Sequence, residues 1–425
     1  MSDLEQKEIS LEQVNVILNA LGQQIYDAFR ASNFERAEQL LKRILEIAPK
    51  QAFAWMNLAS AHLRQRKYQH AYDASLKAIE YMADNVDPNV YDGLAEICHQ
   101  LDRFDEQIYY GKLAIQVKKH QLKDVPQIDI SQNNRPRFDP QKPTQNIISY
   151  SLFGSLPRYC EVAVLNVQLA KEIYPEWICR FYVDDTVPPQ VIARLQQHGA
   201  QVIQVSDAQK QISGLFWRFL VLDDKDVQYF LIRDADSLLS YRERSAVDQW
   251  LNSTRWFHKM HDSYSHTELI LAGMWGGCHG IFKNIMQSIQ QFIQKNQISD
   301  PRVIDQHYLR QQIWPTLQHS VFIHDSQGYE SNAQDFPTPS QQKEFEQSQR
   351  FHVGANEGAS TVNICLAHPV SKEIQFYIKD SLSEEVICAY DFISNYATDF
   401  SILLPDSYGK KIQSEEWYIA TKIKA

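Results

Sequence analysis

Between residues 35 and 48 the chain reads ERAEQLLKRILEIA. Ala37, Leu41, Ile44, Leu45 and Ala48 fall on one stripe of a 3.6-residue period, which predicts an amphipathic helix with one buried face. The pattern recurs. Phe34 and Tyr68, Ala37 and Ala71, Ile44 and Ala78, and Pro49 and Ala83 are each 34 residues apart. A third unit follows at an offset of 36, pairing Leu58 with Leu94, Ala59 with Ala95, Tyr68 with Phe104 and Ala78 with Ala114, and the two extra residues fall in the turn Asn85-Val86-Asp87-Pro88. Small residues at the repeated places let helices approach closely. Helix pairs that bury their faces only against neighbours predict a short solenoid of three units over 18–119, after a polar tail at 1–17. Residues 120–145 are polar and proline-rich without periodicity, and read as a linker. From 146 the pattern changes to apolar runs, IISYSLFG (147–154), CRFYVDD (179–185), AQVIQV (200–205) and VQYFLI (227–232), separated by helical stretches. Strands without a polar face alternating with helices predict an α/β domain with a parallel sheet over 146–358. Ligands of such sheets bind beyond the carboxyl ends of the strands. Residues 359–425 turn to short strand-like runs, EIQFYI, EVICAY, FSILL and WYIATKI, and predict a small β-rich segment.

The 34-residue period resembles the tetratricopeptide repeat, with Trp55, Leu58 and Ala59 opening the second unit and small residues in the second helices. Its surface serves either to pack on the next domain or to dock a partner. The net charge of −10 and pI near 5.8 repel phosphate in bulk and exclude a general nucleic-acid binder, while a local basic pocket remains allowed. Six scattered Cys without a CxxC exclude a disulfide scaffold and a zinc knuckle and read as small buried hydrophobes in a reducing compartment. The polar start MSDLEQKEISLEQ has no apolar signal core and no stretch reaches 18 apolar residues, so no transmembrane segment is expected. Cytoplasmic residence is the expectation, with peripheral membrane association permitted. Only 14 glycines occur, and GxGxxG, GxxxxGKS/T and HExxH are absent, which disfavours the common dinucleotide and P-loop sites.

The chemistry-bearing stretch is Arg233-Asp234-Ala235-Asp236-Ser237, directly after the apolar run VQYFLI. Two carboxylates at i and i+2 of an extended segment point to one side. Their hard oxygens suit Mg²⁺ or Mn²⁺ and leave positions open for substrate phosphates. The other D-x-D triplet, Asp224-Lys225-Asp226, sits in a charged turn and reads as a solvated loop. Gly273, Gly276, Gly277 and Gly280 concentrate four of the 14 glycines in eight residues. Such a cluster points to close backbone approach to a ligand or to a buried turn. Trp256 to Asp262 and His266 form a polar-aromatic cluster whose histidine spacing fits no standard metal set; it reads as a structural element or as an acceptor-side loop carrying His258 and Asp262.

The order of these elements resembles the metal-dependent GT-A fold of nucleotide-sugar glycosyltransferases, over roughly residues 146–358, with Asp234-Ala235-Asp236 in the place of the DxD motif. Leu271-Ala272-Gly273-Met274-Trp275-Gly276-Gly277 looks like the segment that lines the donor sugar, and Ile304-Asp305-Gln306-His307-Tyr308-Leu309 like a D-Q-x-x-L segment of several transferases. The resemblance implies a Rossmann-like catalytic domain and a Mn²⁺ or Mg²⁺ cofactor. It implies a nucleotide-sugar donor and a glycan, lipid-linked glycan or protein acceptor docked on the repeats. It assigns the metal to Asp236, with Asp234 on the metal or the ribose hydroxyls. Arg218 or Arg233 would meet the phosphates or hold the site, and Gly273, Gly276 and Gly277 would line the donor. Asp305, with Gln306, would act as general base or transition-state stabiliser, unless Asp305 is a helix cap. A late histidine completes the metal shell in many such enzymes. His324 is preferred to His352 because it ends an apolar strand and precedes Asp325, whereas His352-Val353-Gly354 is a fragment of the HxxGxxKPW motif of one retaining family. A sugar nucleotidyltransferase is disfavoured by the glycine-poor Phe153-Gly154-Ser155-Leu156-Pro157-Arg158. A non-catalytic repeat scaffold is disfavoured by the retained Asp234, Asp236, Asp305 and His324.

Overall fold

The computed structural model describes residues 11–296, 301–366, 373–393 and 398–423. They divide into two units. The first holds the chain up to Asp124 together with Ser263–Leu269 and Gln327–Ser331. The second holds Val125–Asp262, Ile270–Ser326 and the chain from Asn332 on.

The first unit is built from three helix pairs: α1 (Leu11–Arg30) with α2 (Phe34–Ile47), α3 (Ala52–Arg64) with α4 (Tyr68–Met82), and α5 (Pro88–Gln100) with α6 (Phe104–Gln121). The expected limits 18 and 119 fall inside α1 and α6. Local signals set the helix starts. The side chains of Asn33, Gln51 and Asp87 accept hydrogen bonds from backbone N–H groups of the first turns, and Pro88 occupies the first position of α5, where its missing N–H is no loss. Each pair turns through one left-handed residue at the same place, Ser32, Arg66 and Asp102. Ala37, Ala71, Ala78, Ala95 and Ala114 are fully buried, the small contacts that the 34-residue period requires.

The open face of the last pair is polar, and the chain covers it itself. Gln107 and Gly111 stand where the first two units carry Ala37 with Leu41 and Ala71 with Ser75, all buried, and Lys118 follows seven residues further along α6. Lys118, 1% exposed, donates to Asp92 at 2.8 and 2.9 Å and to the carbonyl of Thr267 at 2.8 Å, with Glu268 at 3.7 Å. Gln107 donates to Gln327 and to the Tyr329 hydroxyl, Lys119 pairs with Glu330, and Tyr264 stacks on His99 with centroids 3.8 Å apart. Segments 263–269 and 327–331 thus take the place of a fourth helix pair and cap the solenoid.

In the second unit, residues 125–145 are not the linker expected. Tyr229 donates to the carbonyl of Pro136, Arg135 lies over the Tyr229 and Trp250 rings, Phe138 packs on Trp177 and Tyr229, and Ile128 N–H donates to Thr316. The segment is a strap, held by a few aromatic and basic side chains that its polar average conceals.

The strap leads into a seven-stranded sheet made of β1 (Asn146–Leu152), β2 (Ile178–Val183), β3 (Gln201–Gln204), β4 (Tyr229–Ile232), β5 (Phe257–His261), β6 (Trp275–Cys278) and β7 (Val321–Asp325), in the order β3-β2-β1-β4-β6-β5-β7. β6 is antiparallel to both of its neighbours, and the other pairings are parallel. Connecting it are α7 (Pro157–Ile173), α8 (Pro189–Gln197), a 3-10 helix Gly214–Asp223, α9 (Tyr241–Leu251), α10 (Ile285–Lys295), α11 (Ile304–Tyr308) and α12 (Trp314–Leu317). At β5 the polar FHKMH left a structural element and an acceptor-side loop both open; it is a strand, and all five residues are buried. His258 is bonded to His324 and Lys259 lies over the Trp314 ring at 4.7 Å, so partners far away in sequence make a polar strand burial-compatible.

The β-rich C-terminal segment forms two small sheets. β8 (Ser360–Cys365) pairs with β11 (Asp399–Leu404), while β9 (Glu373–Asp380) lies between β10 (Val386–Ile393) and β12 (Trp417–Ile423), with α13 (Asp406–Gln413) between the last two strands of the chain. Fully buried Glu161 of α7 ties this segment down. It accepts from the hydroxyls of Tyr390 at 2.5 Å and Tyr408 at 2.9 Å and pairs with Arg194 at 2.8 Å.

The cap of the repeats yields a first prediction. A methyl at Gly111 would lie 2.2 Å from the Tyr329 ring, so Gly111→Ala should destabilise the protein by about 1–3 kcal/mol through overpacking. Chemical unfolding of the single variant and of Gly111→Ala with Tyr329→Ala measures this: the second change should make the first nearly silent.

Candidate functional site

The strand order carries a topological switch. From β1 the chain proceeds outward to β2 and β3, then returns to place β4 on the other side of β1, and a crevice opens at the carboxyl ends where the two directions part. β4 is four buried apolar residues. Its continuation, Arg233 to Ser237, delivers the two carboxylates to that crevice.

Asp234 is held from behind. Arg218, in the 3-10 helix and 4% exposed, makes an ion pair with Asp234 and reaches Asp305 Oδ2 with its other terminal nitrogen at 2.7 Å. The Arg218 backbone is clamped to β1: its N–H donates to Ser151 Oγ at 2.9 Å and its carbonyl accepts from Ser149 Oγ at 2.7 Å. Burial works against the charge of this guanidinium, but the carboxylates of Asp234 and Asp305 outweigh it and raise its pKa. Gly273 completes the seat, since a Cβ there would stand 2.2 Å from Asp234 Oδ2. Asp236 makes no ion pair among the described residues. Burial, and next the charge of Asp234, push its carboxyl up to about 6, against the opposing charges of Arg158 and Arg218. Its backbone is fixed by segment 354–357: Glu357 N–H donates to the Asp236 carbonyl at 2.8 Å and Ser237 Oγ to the Gly354 carbonyl at 3.0 Å.

Four expectations change. Asp305 is 3% exposed; one oxygen binds Arg218 and the other accepts its neighbour Gln306 N–H at 2.9 Å. It is a positioning residue for Arg218 rather than a base facing a sugar, and Gln306, half-buried, joins it through that backbone N–H. Arg233 points into the interior. Its Nε pairs with Glu243 at 2.7 Å and its Nη1 donates to the carbonyls of Ile232 and Trp275, so these nitrogens are engaged in the interior. Gly276 and Gly277 lie in β6, where a Cβ would strike the Phe230 carbonyl at 2.6 Å and the Phe257 ring at 2.6 Å. Packing within the sheet by itself accounts for glycine at both positions.

The fourth is His324. Its Nδ1 faces His258 Nε2 at 2.8 Å and its Nε2 faces Gln249 Oε1 at 2.9 Å, which engages both ring nitrogens. β7 also stands three places from β4 in the sheet, roughly 14 Å at about 4.8 Å per place. His324 is therefore no ligand of an ion at Asp236. His352 lies just before the 354–357 stretch that bonds to Asp236 and Ser237. Asp262, expected beside an acceptor, is buried, pairs with Arg242 and accepts Val353 N–H at 2.8 Å.

Sequence reading passed over Arg158. It stands in the first turn of α7, just past the carboxyl end of β1, its charge acts on Asp236, and its Nε is buried without a hydrogen-bond partner. The available signal was topological: a basic residue opening the helix after the first strand of an open sheet faces the ligand crevice. Among the described residues no set of three or more His, Cys, Asp and Glu is arranged to hold a metal by itself.

No family model matches the chain, and no curated protein matches it. Solved structures similar to parts of it include the TPR domain of Arabidopsis OM64, at 17% identity over 24% of this chain and 83% of that one, with a TM-score of 0.23. PcrH in complex with the chaperone binding region of PopD aligns at 16% identity over 27% of this chain and 83% of that one, TM-score 0.25. A mutant O-GlcNAc transferase of Thermobaculum terrenum aligns at 13% identity over 53% of this chain and 47% of that one, TM-score 0.28. Likeness at this level leaves function to be read from the chain's own residues. Among the described residues no helix is long and apolar enough to cross a membrane.

The buried histidines set a pH dependence. Burial depresses both: His258 lies well below the ordinary value, with the charges of His324 and Arg233 adding to the effect, and His324 falls to about 4, helped by Arg242. Both are neutral in the folded protein, whereas the unfolded chain takes up protons below about 6.5. Their contribution to stability is thus complete above pH 6.5 and is lost as pH falls toward 4, by up to about 1.4 kcal/mol per pH unit per proton. Denaturant midpoints should drop between pH 7.5 and 5, and His324→Gln should flatten that slope.

Proposed function

We propose that the α/β unit is a metal-dependent glycosyltransferase of GT-A type, moving a sugar from a nucleotide-sugar donor to a glycan, lipid-linked glycan or protein acceptor. The observation that carries this reading is the pair Asp234 and Asp236 at the carboxyl end of β4, beside the switch point, with Asp234 braced by buried Arg218 and Asp305. The carboxylates suit Mn²⁺ or Mg²⁺: they supply hard oxygens, Asp236 has no ion-pair partner among the described residues, and its charged form is disfavoured first by burial and next by the charge of Asp234, a cost that a cation would offset. Asp236 and Asp234 would hold the ion, which supplies Lewis-acid stabilisation of the negative charge on a departing nucleoside diphosphate.

The chain's own residues do the rest. Among the described residues no third protein ligand stands beside them, so oxygens of the donor and of water would complete the shell of an ion held by Asp234 and Asp236. Arg158 opens α7 with a cation turned to the side of Asp236 and binds phosphate oxygen. Asp305 keeps Arg218 oriented, and Arg218 keeps Asp234 from rotating away. An acceptor protein would dock on the face between α3 and α5 lined by Met56, Ser60, Leu63, Asn89 and Gly93, since the end face of α5 and α6 is already covered.

The test is donor hydrolysis by the full chain with Mn²⁺ across a panel of nucleotide sugars. Activity should vanish with EDTA and return with Mn²⁺ or Mg²⁺. Asp236→Asn should lower it by about 100-fold or more, with the unfolding midpoint kept. Full turnover in chelator would refute metal dependence. Absence of donor binding across the panel, with protein binding to the repeats retained, would establish the scaffold reading instead.

A further inference from the structure

A second cleft lies at the opposite end of the sheet from the carboxylate pair. Val167, Ala170 and Lys171 near the end of α7, Pro175 and Trp177 in the following turn, Ile178 and Cys179 at the amino end of β2, and His198 and Gly199 after α8 enclose about 230 Å³. The walls are apolar and the mouth is basic. Lys171 is exposed and forms no ion pair among the described residues. His198 Nε2 lies 3.1 Å from the Gln168 amide nitrogen and accepts from it, which leaves the ring proton on Nδ1 as a donor. The nearby acids do not neutralise this mouth: Glu172 is bound by Lys343 and Tyr241, and Glu176 by Arg244. Arg194 is committed to Glu161 but adds its field. Burial first, and then the charges of Lys171 and Arg194, push the His198 pKa down. A free basic mouth over an apolar cleft is unexpected on a chain of net charge −10.

We propose that this cleft is a binding site for a small anion with an apolar body, such as a short-chain carboxylate, separate from the crevice at Asp234 and Asp236. The volume is below that of usual drug-sized pockets, which limits the ligand to a handful of carbons. Trp177, Ile178 and Ala170 would take the apolar part, while Lys171 and the Nδ1–H of His198 would meet the carboxylate. An anion there also offsets the positive charge of Lys171 and Arg194.

Titration of the full chain with hexanoate, acetate and hexylamine, read by calorimetry and by the His198 ring signals in NMR, tests the site. Hexanoate should bind and raise the His198 pKa. Acetate, with the charge but no tail, and hexylamine, with the tail but the opposite charge, should bind at least about tenfold more weakly. Lys171→Glu, an exposed change that spares the core, should weaken hexanoate about tenfold, with the ligand-free unfolding midpoint unchanged; His198→Gln should act in the same direction. Hexylamine binding as tightly as hexanoate, hexanoate binding indifferent to Lys171→Glu, or no hexanoate binding at millimolar concentration would each overturn the proposal.

Discussion

A guanidinium can be buried only if its charge is answered, and Arg218 is answered twice. Asp234 and Asp305 come from segments far apart in sequence, and the arginine backbone is fastened to β1 by two serines. The 3-10 helix, β1, the end of β4 and the start of α11 must therefore all be in place together. Removing either carboxylate leaves a buried charge partly unpaired, a loss of several kcal/mol. The arrangement also explains why Gly273 carries no side chain: the braced position of Asp234 leaves no room for one. This buried chain of charges fixes the place of Asp234, while Asp236 makes no ion pair among the described residues.

Legibility in the sequence followed the range of the forces involved. The repeats were readable because helix pairs bury faces against near neighbours, so a fixed offset of small residues survives in the chain. The strands β1, β2 and β4 were readable because they are almost wholly buried runs of mostly apolar residues, whereas β3, half-exposed at the sheet edge, was readable from its place after a helix and Gly199; the carboxylate pair was readable because it follows β4 directly. The failures share one cause. FHKMH has a polar pattern, but His324 and Trp314 satisfy it from elsewhere. His324 ends a strand as expected, yet chain order does not reveal that β7 sits at the far edge of the sheet. Arg233 is adjacent to the carboxylates and, by strand alternation, faces away from Asp234 toward Glu243. Gly276 and Gly277 cluster near Gly273, which packs against Asp234, for an unrelated reason. Arg158 required the topology before its position meant anything.

Charge is distributed in a similar way across the second unit. Buried Glu161, Glu243 and Asp262 each hold an arginine, and Glu161 and Glu243 also accept tyrosine hydroxyls. Most acidic groups near the sheet are thereby spent internally. Asp236 at one end and, with the opposite sign, Lys171 at the other are charges that make no ion pair among the described residues.

The cap of the helical repeats has a consequence for biogenesis. A tetratricopeptide-like array is usually regarded as a local structure, able to form as each pair is made. Here Lys118, Gln107 and Gly111 await partners that lie beyond residue 262, and Tyr329 is the last of them to be synthesised. At ribosomal rates of about 5–20 residues per second, the end face stays uncovered for roughly 10–40 s after α6 has emerged. The first part of the chain to be made is thus completed by a later one, and throughout that interval the nascent protein displays a polar, unfinished helix face on which chaperones or a second nascent chain can act.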